Sequence, residues 1–96
     1  MSPLKRKKLN KIRSKLDKLD NSLIKLIKKR TNLVNQVLEL KDKKKEIIDN
    51  KRIKIILKNI RKKSIANKID PKITYRIWKN MIWSYIDYER RNFKKK

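Results

Sequence analysis

The sequence predicts an all-α protein with three helices per chain, the first of them very long, assembled as an intertwined helical-bundle homodimer. Three observations carry that expectation. Apolar residues step by three and four through most of the N-terminal half, cap residues and prolines mark helix starts, and the first helix is too long for a compact 96-residue fold. The length fits a single domain over 1–96, with a core near 9–91 and a basic tail at 92–96. An apolar content of 38% leaves little for a large private core.

The first helix opens at Ser2-Pro3, an N-cap followed by proline at the first helical position. Its seam runs Leu9, Ile12, Leu16, Leu19, Leu23, Leu26, then Leu33, Val37 and Leu40, and fades in the charged run from Lys41 to Glu46. Asp49-Asn50 offers caps for a second helix with Ile53, Ile56, Leu57 and Ile60 on its apolar face. Asp70-Pro71 opens a third, whose stripe includes Ile73, Ile77, Met81, Ile82, Tyr85 and Ile86. The tail from Arg90 to Lys96 is expected to fray. A helix from Pro3 to about Lys44 would be roughly 60 Å long at 1.5 Å per residue. A compact domain of this size has a radius of gyration near ~13 Å. Two shorter helices cannot cover so long a seam, so a second copy of the chain is expected to complete the bundle.

Composition removes several kinds of chemistry. The chain has no Cys, no His and no Gly, which excludes disulfides, thiolate nucleophiles, imidazole acid–base catalysis and glycine-rich phosphate loops. No metal or cofactor is expected. No apolar run approaches the ~20 residues of a membrane span, and no signal-peptide core follows the basic start, so a cytoplasmic protein without a membrane partner is expected. The formal charge is +23, from 32 Lys+Arg against 9 Asp+Glu. Lys, Ile and Asn make up half the chain, and all three have A/T-rich codons, so base-composition drift accounts for much of the lysine. Nucleic acid is expected to bind only non-specifically and in a salt-dependent way. All the aromatic residues lie between Tyr75 and Phe93, away from most of the basic runs, where a base-stacking surface would interleave them.

Among so many cations, a few stand in a pattern. Arg30 falls on the seam where an apolar residue is due, as a snorkelling or register-setting residue or as a ligand-binding one. Lys41 lies eleven residues on, close to three full turns, so on a continuous helix it shares that face about 16 Å away. Two long cations so placed can reach toward a small dianion between them. Arg13 is seventeen residues before Arg30, roughly 25 Å along the axis, and cannot join the same small pocket within one chain. An antiparallel partner can deliver its own copy, which is a second hint of a shared-site dimer. Read singly, Arg13, Lys41 and Arg52 are surface charges, Asp49 a helix cap, and Tyr85 core packing.

The strings Ile12-Arg13-x-x-Leu16-Asp17-x-Leu19-Asp20, Leu26-Ile27-x-x-Arg30 and Val37-x-x-x-Lys41 resemble the N-terminal helix of the all-helical chorismate mutases. Ile48-Asp49-x-x-Arg52 resembles the start of that family's second helix, and Ile69-Asp70-Pro71 with the helix to Glu89 resembles its third. The resemblance covers about Leu9 to Arg91 and implies an intertwined dimer with two sites, each completed by the N-terminal-helix Arg of the other subunit. It implies that the partner's Arg13 holds one carboxylate of a small dicarboxylate substrate and Arg30 the other. Lys41 then contacts the ether oxygen, Arg52 supports the carboxylate end, Glu89 takes the place of the family's terminal Gln or Glu, and Asp49, Ile53 and Tyr85 fall at substrate-binding positions. Family spacing thereby outweighs the surface-charge reading for Arg13, Arg30, Lys41 and Arg52.

Two departures bear on the substrate. The family's Glu after the second-helix Arg, which binds the ring hydroxyl, is replaced by Ile53. Where the mutases often have a small hydroxyl residue this chain has Tyr85, with Ser84 one step off. The stretch Trp83-Ser84-Tyr85-Ile86 is more similar to the isochorismate pyruvate lyases, and a sister group acting on aminodeoxychorismate has a comparable apolar replacement. A chorismate mutase is the leading expectation. A lyase or aminodeoxychorismate mutase on the same fold is the first alternative, and a non-catalytic basic helical protein that binds nucleic acid or only dimerises is the second. The rearrangement itself suits this composition, because it is a one-step pericyclic shift needing no nucleophile, metal or redox group.

Overall fold

The computed structural model describes residues 1–94. It is all-α: α1 spans Pro3–Leu40, a short 3-10 helix Lys44–Ile47, α2 Asn50–Ala66 and α3 Pro71–Asn92. No helix is long and apolar enough to cross a membrane. The chain divides into two compact units, one ending at Val34 and one beginning at Asn35.

The first unit is helix alone. Ser2 caps it as expected, its Oγ accepting from the Lys5 N–H at 3.2 Å. Along this unit the seam residues Ile12, Leu16, Leu19, Leu23, Leu26 and Leu33 are exposed. A helix stays in water with such a seam only at a cost, which is the physical content of the expected second copy.

The second unit holds the core. Leu38, Ile47, Ile82 and Ile86 are buried together, with Ile48, Ile53, Ile56, Leu57 and Phe93 packed against them. α2 and α3 are antiparallel neighbours tied by hydroxyls. The Ser64 Oγ lies 2.7 Å from the Thr74 Oγ1 and 2.6 Å from the Ile60 carbonyl oxygen.

α1 ends four residues before the expected Lys44. Past Leu40 the charged run offers nothing to bury until Ile47, which is only 3% exposed. To seat it, the chain leaves the helix after a closing Lys41 N–H to Leu38 carbonyl bond of 3.1 Å and re-forms as a 3-10 turn, where the Glu46 carboxylate accepts from the Lys43 N–H. The expected fraying from Arg90 also fails. α3 continues to Asn92, held by an Arg91–Asp87 pair at 2.9 Å, and Phe93 packs on the core. Lys95 and Lys96, part of the expected basic tail, lie outside the described residues.

Both predicted caps of the hairpin are present. The Asp49 Oδ1 accepts from the Arg52 N–H at 3.0 Å, and the Asp70 Oδ1 from the Lys72 N–H at 2.9 Å, with Pro71 at the first turn. α2 ends in a Schellman motif: Ile69 N–H bonds the Ser64 carbonyl at 2.8 Å and Lys68 N–H the Ile65 carbonyl at 3.1 Å. That motif places Lys68 at φ 57°, the left-handed position glycine usually fills. A chain without glycine has a side chain there at a steric cost. Lys68→Gly is therefore expected to stabilise the fold by about 0.5–1 kcal/mol, read as a higher midpoint in thermal or urea unfolding.

Candidate active site

The last turn of α1 and the C-terminal half of α3 meet in the second unit, and two of the expected site residues meet there. Glu89 stands on the apolar stripe of α3, one turn past the buried Ile86, and the helix carries it inward to 6% exposure. Lys41 follows the last residue of α1. Its Nζ donates to the Glu89 Oε1 at 3.0 Å, with the two side chains 18% and 8% exposed. A charged pair so far from water is held only while each partner satisfies the other, so both charges are strictly located.

Aromatic rings fix α3 against the chain beside that pair. The Tyr88 hydroxyl donates to the Asn35 Oδ1 at 2.8 Å, and Tyr85 meets Tyr88 edge to face with ring centres 6.4 Å apart. Tyr85 is half-buried, while Ser84 is exposed and donates to its own helix at the Asn80 carbonyl, 2.7 Å away. The position that the mutases fill with a small hydroxyl is thus occupied here by a ring, and Ser84 does not replace it. Neither Asn35 nor its bond to Tyr88 was signalled by the sequence, because partners 53 positions apart leave no local pattern.

A hollow of about 470 Å³ is lined by Lys41, Glu46, Ile48, Asp49, Asn50 and Lys51, where the chain enters α2. Asp49 serves there as the helix cap, the bland reading of that residue, and so orients the first turn that carries Arg52. The Arg52 side chain is exposed. Ile53 is half-buried and packed on the core cluster, so its side chain does structural work.

Arg13 and Arg30 belong to the first unit, where one uninterrupted helix carries both. At 1.5 Å per residue their seventeen-residue separation is roughly 25 Å, too far for one small dianion to bridge. Arg13 is exposed and Arg30 half-buried.

Three α-helices, a short 3-10 helix and a buried lysine–carboxylate pair among the described residues define an all-α protein. The chain belongs to the family described as chorismate mutase type II, whose pattern it matches over residues 12–90. Membership supports chorismate mutase-type function in general. Neither the curated proteins nor the solved structures compared with the chain gave a match.

Proposed function

We propose that this protein is a chorismate mutase, converting chorismate to prephenate for aromatic amino acid biosynthesis, as a cytoplasmic homodimer built from one domain per chain. The observation that carries the reading is the Lys41–Glu89 pair: the residue that the resemblance assigns to the ether oxygen and the one at the family's terminal Gln or Glu position lie 3.0 Å apart and largely buried. The exposed seam of α1 supports the second copy.

The reaction breaks a C–O bond as a C–C bond forms, so the protein must hold a flexible dianion in its reactive conformer and stabilise charge growing on the ether oxygen. Positioning of this kind supplies up to ~7–11 kcal/mol, and preorganised donors a few more each. Arg30 and the partner's Arg13 clamp the two carboxylates, since a guanidinium donates two parallel bonds to one carboxylate. Arg52 supports the carboxylate end from α2. Lys41, a compact charge, serves the single oxygen. Incubating the purified protein separately with chorismate and isochorismate tests this. Prephenate identifies the mutase, pyruvate plus salicylate the lyase, and no product from either refutes both.

Ile53 favours a second reading, a lyase or an aminodeoxychorismate mutase, because an apolar side chain cannot bind a ring hydroxyl. On the mutase reading, the unpaired hydroxyl costs about 1–3 kcal/mol and should appear as a high KM for chorismate. Ile53→Glu is then expected to raise kcat/KM on chorismate about tenfold while lowering the unfolding midpoint, since it removes an apolar contact from the core. A fall in kcat/KM in protein shown to be folded would favour a substrate whose hydroxyl lies elsewhere.

A further inference from the structure

Lys41 is the first residue past α1, so its place depends on how the end of that helix is held. Its N–H bonds the Leu38 carbonyl at 3.1 Å, which ties it to the last turn. Asn35, Leu38 and Lys41 follow one another at intervals of three, which puts them on one side of that end of the chain. All three engage α3. Asn35 accepts from the Tyr88 hydroxyl at 2.8 Å, Leu38 is buried with Ile82 and Ile86, and the Lys41 Nζ donates to the Glu89 Oε1 at 3.0 Å. The end of α1 is thus fastened to α3 on both sides of Leu38, and the two polar fastenings land on consecutive residues, Tyr88 and Glu89.

The Tyr88 hydroxyl is aimed by what surrounds its ring. Tyr85 meets the ring edge to face at 6.4 Å, and the Arg91 guanidinium, itself paired with Asp87 at 2.9 Å, lies 6.0 Å from the ring centre. Asn35 is half-buried inside α1, where asparagine is a weaker helix former than alanine or leucine. What it contributes there is the bond to Tyr88.

We infer that the Asn35–Tyr88 bond positions Lys41 for the reaction. The inference rests on the chorismate mutase reading above, in which the Lys41 ammonium turns from Glu89 to the ether oxygen of the substrate. Once it has turned, the ion pair no longer ties the end of α1 to α3. Leu38 packs by apolar contact, which is not directional and sets no angle between the helices. The hydroxyl–amide bond stays made, because no step of the reaction uses it. It keeps the Lys41 backbone in place while the side chain changes partner, and a misplacement of about 1 Å costs up to about 10²-fold in rate. Asn35 and Tyr88 are therefore positioning residues that act through Lys41.

Removing either end of the bond tests it. Tyr88→Phe deletes the hydroxyl and keeps the ring between Tyr85 and Arg91, while Asn35→Ala deletes the acceptor and favours the helix. Each is expected to lower kcat about tenfold with KM within about twofold of wild type, because Lys41 acts as charge develops and the carboxylates are bound elsewhere. The double variant should lose no more than either single one, and Asn35→Asp, which keeps an acceptor, should recover most of the kcat lost in Asn35→Ala. A second readout needs no substrate. Labelling with acetic anhydride, read by mass spectrometry, should modify Lys41 about fivefold faster in Tyr88→Phe and Asn35→Ala than in wild type, with the exposed Lys62 as internal reference. In an active enzyme, an unchanged kcat overturns the positioning role even where the unfolding midpoint falls, and leaves a structural bond. Losses that multiply in the double variant overturn it as well, since the two residues then act separately. A wild-type chain inactive on chorismate and isochorismate overturns the proposed function instead; faster labelling then still supports the hold on Lys41, and unchanged labelling overturns it.

Discussion

An equimolar mixture of Arg13→Ala and Arg30→Ala chains, each about 10²–10³-fold below wild type alone, is expected to recover about a quarter of wild-type mutase activity. Each single variant should fail because it removes a charged clamp from every site. The rise of α1 keeps the two arginines of one chain roughly 25 Å apart, so on the proposed reading each site draws Arg30 from one chain and Arg13 from the other. Random exchange makes half of the dimers mixed, and a mixed dimer has one site with both arginines intact and one with neither. The converse experiment is equally sharp. A chain carrying both substitutions, added in equal amount to wild type with the wild-type concentration held constant, should cut activity by about half, because a mixed dimer then has no complete site. If both arginines serve a site within their own chain, the first mixture recovers nothing and the second loses nothing.

What the sequence made legible follows the range of the forces involved. The caps at Ser2, Asp49 and Asp70 act over two or three residues, so the letters alone predict them. The α3 stripe was equally readable, because helix periodicity places Ile82, Ile86 and Glu89 on one face, and all three are buried. The end of α1 was not. Lys41 to Glu46 has no apolar residue, and what stops the helix is the demand of Ile47 for a place in a core built by α2 and α3. The same limit hid the bonds from Tyr88 to Asn35 and from Ser64 to Thr74, which join polar residues on separate helices. Family spacing named Lys41 and Glu89 one by one; that the two meet as a buried pair is a tertiary fact.

That pair sets up the second large effect. In the unliganded chain the Lys41 ammonium donates to the Glu89 carboxylate, whereas on the proposed reading Lys41 must donate to the ether oxygen of the substrate. Turning Lys41 to the substrate leaves a carboxylate beside an oxygen that is gaining negative charge. An ionised Glu89 cannot donate to that oxygen and repels it; a protonated one donates. Glu89→Gln is therefore expected to raise kcat/KM at least about tenfold, because an amide always has a donor for that oxygen while its own oxygen still accepts from Lys41. Glu89→Ala separates this role from structure. It leaves the Lys41 ammonium without its partner, so it should destabilise the fold by about 3 kcal/mol and lower activity. Measured kcat/KM for the three proteins, beside their unfolding midpoints, decides the matter. A kcat/KM unchanged by the Gln substitution places Glu89 outside the chemistry and leaves it as the anchor of Lys41.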